Sequence, residues 1–196
     1  MIQAQGIAHE PASPSTHWLK RYYFARFAVS AAWVALAFTV GKSAPGLAAV
    51  MLVAYPTWDA LANFADARRN GGLAQNRSQL VNFVVSALTA VAVAAALTRS
   101  MSAVLAVFGV WAALSGLLQL VTGVRRWRSV GAQWAMILSG AQSALAGVFF
   151  VKMASGPVPV SIVDVAPYAA FGAFYFFVSA VWLTVGDVRR GARATA

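Results

Sequence analysis

Residues 101–151 read MSAVLAVFGVWAALSGLLQLVTGVRRWRSVGAQWAMILSGAQSALAGVFFV, two long apolar runs on either side of a turn that carries Arg125, Arg126 and Arg128. A bilayer's hydrocarbon core is crossed by about 20 residues of helix, which is the length of each run. The stretch therefore reads as two membrane-crossing helices joined by a short basic turn.

Carried outward, the same reading marks six spans, at 22–40, 46–65, 79–98, 101–124, 130–151 and 165–185. They form a bundle at 20–188, between an N-terminal tail at 1–19 and a short basic tail at 189–196. The first tail is polar and holds Pro11, Ser13, Pro14 and Ser15, so it is expected to be flexible. It has no compact basic region ahead of a short apolar stretch, the pattern of a secretory signal. In the second span Pro56 removes a backbone donor and leaves the Leu52 carbonyl without its helical partner, so a kink is expected there.

Composition agrees with this class. Of 196 residues, 60% are hydrophobic and 10% charged, against about 45–50% and 25% in a soluble domain; mean hydropathy is +0.69. So few charges cannot cover a water-soluble particle. The formal net charge of +10 raises the question of nucleic acid, but the basic residues lie in short clusters between apolar runs. That pattern fits membrane orientation, and no nucleic-acid partner is expected. The absence of Cys excludes disulfides, thiol catalysis and cysteine-held metal.

Orientation follows from the basic residues. Lys20, Arg21 and Arg26 flank the first span; Arg68, Arg69 and Arg77 follow the second; Arg125, Arg126 and Arg128 follow the fourth; Arg189, Arg190 and Arg193 end the chain. The alternate connections carry only Lys42, Arg99 and Lys152. Cytoplasmic segments are enriched in Lys and Arg, so both termini are expected in the cytoplasm, where the basic loops could meet anionic headgroups.

The chain also resembles itself. At an offset of 57 residues, Arg68-Arg69 falls on Arg125-Arg126 and Ser86-Ala87-Leu88 on Ser143-Ala144-Leu145. The endings Ala65-Asp66-Ala67-Arg68-Arg69, Thr122-Gly123-Val124-Arg125-Arg126 and Gly186-Asp187-Val188-Arg189-Arg190 each close an even-numbered span. The fold class expected is thus an all-α integral membrane protein whose six transmembrane helices are arranged as three helical hairpin repeats. Small residues mark the packing faces: Ser139, Ser143 and Gly147 at four-residue spacing with Gly140 beside them, and Gly109, Ala112 and Gly116 on the preceding span. Such residues let helix backbones approach closely in lipid.

The stretch 107–151 resembles the HdeD-like short-repeat membrane proteins of bacteria, the acid-resistance membrane protein type. The features that carry the likeness are Phe108-Gly109, Trp111, Gly116, the turn Arg125-Arg126-Trp127-Arg128, Trp134, Ser139-Gly140 and Ala146-Gly147. The resemblance implies a six-helix protein of the bacterial inner membrane, built from repeated helix pairs, with a role in surviving low pH. It implies no catalytic residues.

Ionisable side chains inside a membrane are costly and are functional candidates by default. Asp59 leads, with Asn63 and Asp66 on the same helical stripe, and Arg26 enters the first span from the same side. An Arg26–Asp59 ion pair is expected, each charge offsetting the other's desolvation. Asp164 is expected to cap the start of the last span. Asn82, Ser86, Gln119, Thr122, Gln133 and Gln142 are candidates for interhelical hydrogen bonds. Trp18, Tyr22, Tyr23, Trp127, Trp134 and Trp182 sit near span ends, as in an aromatic belt.

There is no phosphate loop, hydrolase carboxylate pair, Ser-His-Asp set or HExxH motif, so no enzyme, cofactor or metal site is expected. Two function classes stand: a non-enzymatic inner-membrane protein contributing to acid or envelope stress tolerance, and a small transporter or channel with a polar path near Asp59 and Asn63. A homo-oligomer or a membrane-protein partner is compatible with either.

Overall fold

The computed structural model describes residues 14–126 and 133–194. Every element in them is helical: α1 Pro14–Thr39, α2 Pro45–Arg69, α3 Arg77–Leu97, α4 Met101–Arg126, α5 Gln133–Ala154 and α6 Ile162–Ala194. Among the described residues all six are long and apolar enough to cross a membrane. Trp127 and Arg128 lie outside the described residues, as do the side chains of Thr122, Arg125, Arg126, Gln133, Trp134, Arg190 and Arg193.

Two boundaries differ from the sequence reading. The first helix begins at Pro14, well before residue 22. Proline suits the first helical position, and the added turns are held from outside. Trp18 Nε1 donates to Asp66 Oδ1 at 3.1 Å, and Lys20 pairs with Asp187. At the other end α6 runs 33 residues to Ala194 and includes Arg189, which the sequence reading placed in a tail. At 1.5 Å per residue it is about 50 Å long, more than the roughly 30 Å hydrocarbon core, so its arginine-bearing end stands beyond that core. Arginines there also complement the negative end of the helix dipole.

Proline 56 does not divide α2, which is a single helix from Pro45 to Arg69. Beside it, the Thr57 hydroxyl donates to the Val53 carbonyl at 2.8 Å. The helix stops where Gly71 and Gly72 turn to φ +94° and +90°, a region that L side chains rarely adopt. The Gly72 N–H returns to the Ala67 carbonyl at 2.8 Å and satisfies one of the last free acceptors. Asp164 accepts from the Ser161 backbone N–H at 2.6 Å, capping the start of α6.

The helices form a ring in chain order. Packing is closest between α4 and α5, between α2 and α3, and between α1 and α6, which brings the first and last helices together. These pairs straddle the boundaries of the sequence repeat, and at α4–α5 small-residue faces permit the close approach. A Cβ on Gly116 would stand 2.4 Å from the Ala144 nitrogen, and one on Gly147 would stand 2.5 Å from the Gly109 oxygen. Gly140 likewise faces the Gly116 oxygen at 2.8 Å. The α1–α6 seam is aromatic, with Tyr23 stacked on Phe176 and Phe27 tilted against Phe177, centroids 6.4 and 4.9 Å apart. On the side away from the arginine-bearing ends, Leu52, Val93, Val104, Leu105, Phe108, Ile162 and Val165 fill the core.

Candidate functional site: a polar chamber around Asp59

Three helices bring polar side chains to Asp59, and a fourth joins through one of them. Arg26 on α1 donates through Nη2 to Asp59 Oδ1. Asn63, one turn further along α2, donates to Asp59 Oδ2 at 2.9 Å and to the Asp59 carbonyl at 2.8 Å. From α3, Ser86 donates to Oδ2 at 2.7 Å and accepts from Trp111 Nε1 of α4 at 3.2 Å. The carboxylate thus accepts from three side chains, and the relay extends to a fourth helix. A buried carboxylate persists only where its charge and lone pairs are met in this way.

Arg26 is held as firmly. Its Nη1 donates to the Tyr22 hydroxyl at 2.8 Å, one turn back on α1, and its guanidinium lies 4.2 Å from the Phe176 ring centroid on α6. A planar cation against an aromatic face is favourable, the more so away from water. Only 12% of the Arg26 side chain and 18% of that of Asp59 are exposed, so the pair is largely desolvated. The Nε of Arg26 is buried with no hydrogen-bond partner among the described residues.

The pair forms part of the wall of a cavity of about 420 Å³ to which all six helices contribute. Its polar lining includes Asn63 on α2, Asn82 on α3, Ser115 and Gln119 on α4, Ser139, Gln142 and Ser143 on α5, and Tyr168 and Tyr175 on α6. The volume falls within the roughly 300–1,000 Å³ of small-molecule sites, and an apolar wall with a few convergent polar groups is their usual make-up. The chamber lies toward the arginine-bearing ends: Asn82 is near the start of α3 and Gln119 near the end of α4. Among the described residues no three His, Asp or Glu side chains are grouped closely enough to hold a metal ion.

The structure separates other residues that the sequence grouped. Asp66 shares a helical stripe with Asp59 but belongs to a second cluster at the arginine-bearing end. There it accepts from Trp18, from Asn70 at 3.1 Å and from Gln79. Arg69 lies over the Trp18 ring, 4.7 Å from its centroid, so this tryptophan holds helix ends together through its nitrogen and its face. Ser139 lines the chamber, leaving Gly140, Ala144 and Gly147 to meet α4. Ser143 serves both surfaces, donating to the Ala112 carbonyl at 3.0 Å with its oxygen 3.0 Å from the Tyr168 hydroxyl. Tyr22, Trp111, Tyr168 and Phe176 were not legible as partners; only Tyr22, four residues before Arg26, carried a local signal.

Gly109, Gly116, Gly140 and Gly147 pack α4 against α5 so closely that the two form a unit. Residues 84–152 match the family described as a short repeat of unknown function, DUF308. The match runs from within α3 through α4 to near the end of α5. No curated protein and no solved structure matches the chain.

Proposed function

We propose that this chain is a small transporter or channel of the membrane, which takes a polar molecule or polar group into the chamber beside Asp59 and Asn63. The observation that carries this reading is the chamber itself: a ligand-sized space lined by all six helices, with hydrogen-bonding side chains converging on it. A bundle serving only as scaffold gains nothing from polar side chains converging inside lipid, where polar groups are costly to bury. The Arg26–Asp59 pair leaves the wall without net charge, so hydrogen bonds select the occupant. No catalytic step is assigned. We place the protein in the bacterial inner membrane with both termini in the cytoplasm, on the strength of the basic clusters and the family likeness.

The natural absence of Cys makes the test direct. Single-cysteine variants at Ser115 in the chamber and at Ala37, fully buried in the core, are treated with N-ethylmaleimide, whose double bond is attacked by a thiolate, so that labelling needs water at the site. The reading predicts labelling of Ser115→Cys and not of Ala37→Cys. Equal inertness at both positions would remove it.

A second reading, acid or envelope stress tolerance, is favoured by the Asp59 hub. Donors from three helices meet on this carboxylate, so its charge is built into the bundle. Survival of a bacterial deletant at low pH, restored by wild type but not by a normally expressed Asp59→Asn protein, would support it. No effect of deletion would remove it.

A further inference from the structure

The ring is not closed all round. Among the described residues α5 and α6 hardly touch, although they are consecutive in the chain. The small-residue face of α5 is committed to α4, and the aromatic face of α6 to α1. Besides Phe150 set edge-on to Tyr168, with ring centroids 6.0 Å apart, what joins α5 to α6 are two polar contacts. Tyr175 donates to Gln142 Oε1, and the Ser143 and Tyr168 hydroxyls lie 3.0 Å apart. Both contacts belong to residues that line the chamber.

Beside these contacts the chamber wall is made by Leu145 and Ala146 of α5 and Phe171 and Gly172 of α6. Leu145 is 70% exposed and Phe171 57%, so these lining residues also belong to the outer surface of the bundle. They sit well inside the spans, flanked by the exposed apolar residues Val148, Phe149 and Phe174. The chamber's side opening therefore faces hydrocarbon. A water-soluble molecule would have to cross lipid to use it, whereas a molecule already in the bilayer meets it directly.

Resting on the chamber reading above, we propose that the occupant is an amphiphile entering sideways between α5 and α6, its polar head in the chamber and its apolar tail left in the membrane past Leu145 and Phe171. The head is zwitterionic or uncharged and rich in oxygen acceptors. Arg26 has its charge met by Asp59, and a second net charge in this desolvated space would be unmatched. The Nε of Arg26 still lacks an acceptor, and the amide and hydroxyl groups of Asn82, Ser115 and Ser139 offer further donors.

Gly172 provides the means of testing this. A Cβ placed there meets only the Tyr55 hydroxyl within 4 Å, at 3.6 Å, so the first atom of a side chain is accommodated without a backbone clash. The full chain, wild type, Gly172→Leu, Ala146→Leu and the control Leu88→Phe on the exposed face of α3, is purified in mild detergent. Each is titrated with palmitoyl-oleoyl phosphatidylethanolamine and, separately, phosphatidylglycerol, and bound lipid is counted by native mass spectrometry. The expected result is one tightly held phosphatidylethanolamine on wild type and on Leu88→Phe, weakened about tenfold in both plugged variants, corresponding to a tenfold higher dissociation constant. Two variants at different helices guard against one that misfolds. Identical retention in all four proteins would overturn the proposal, and so would a phosphatidylglycerol adduct equally sensitive to Gly172→Leu. Either failure alongside labelled Ser115→Cys leaves the chamber standing and removes only the amphiphile and its route; inert Ser115→Cys removes the chamber.

Discussion

Ser86 Oγ donates to Asp59 Oδ2 across 2.7 Å and at the same time accepts the indole N–H of Trp111 at 3.2 Å. One hydroxyl thus joins α2, α3 and α4. Ser86→Ala removes a donor from the carboxylate and strands the indole N–H. A loss of about 1–3 kcal/mol is expected, the cost of leaving a buried polar group unpaired. Trp111→Phe in the same background should cost less than in wild type, because its partner is already gone. Thermal unfolding of the purified single and double variants measures both.

Gly116 of α4 and Gly172 of α6 have opposite surroundings. A methyl group on Gly116 would stand 2.4 Å from the Ala144 nitrogen and 2.5 Å from the Gly140 oxygen, both backbone atoms. On Gly172 it meets a hydroxyl at 3.6 Å. Gly116→Ala should therefore destabilise by about 1–3 kcal/mol or more, and Gly172→Ala should stay close to wild type. Melting temperatures of the two variants in one detergent decide the matter, and similar values would contradict the packing described.

Asp66 gathers Trp18, Asn70 and Gln79 at the arginine-bearing end of the bundle. Asp66→Asn keeps the shape but substitutes a donor for an acceptor. It should loosen the first turns of α1, which no sequence signal called helical. Hydrogen exchange over residues 14–21 is expected to rise while exchange in α4 is unchanged; no change in α1 would show that its start is held by other contacts.

Much of this was legible before any coordinates. Apolar runs of membrane-crossing length gave the six helices, and the cost of charge in lipid drew Arg26 and Asp59 to attention as a pair. The helix ends were less legible, since the start of α1 and the arginine-bearing end of α6 are fixed in part by partners distant in sequence, such as Lys20 with Asp187. The chamber was illegible for a different reason. Ser139 and Gly140 are neighbours of similar size, yet one faces the space and the other the α4 backbone. A turn of 100° per residue separates such roles, but only the relative rotation of the packed helices says which face is which. Phe176 against Arg26 carried no local pattern at all.

The most direct test of the account is a double-mutant cycle on the charge pair at its centre. Membrane abundance and thermal stability are measured for wild type, Arg26→Gln, Asp59→Asn and the double variant. Each single change leaves one largely desolvated charge unmatched and should cost about 3–5 kcal/mol. The double variant should recover part of that loss and be more stable than the sum of the singles requires. Losses that simply add would contradict the pair, and with it a chamber wall neutralised by Arg26 and Asp59.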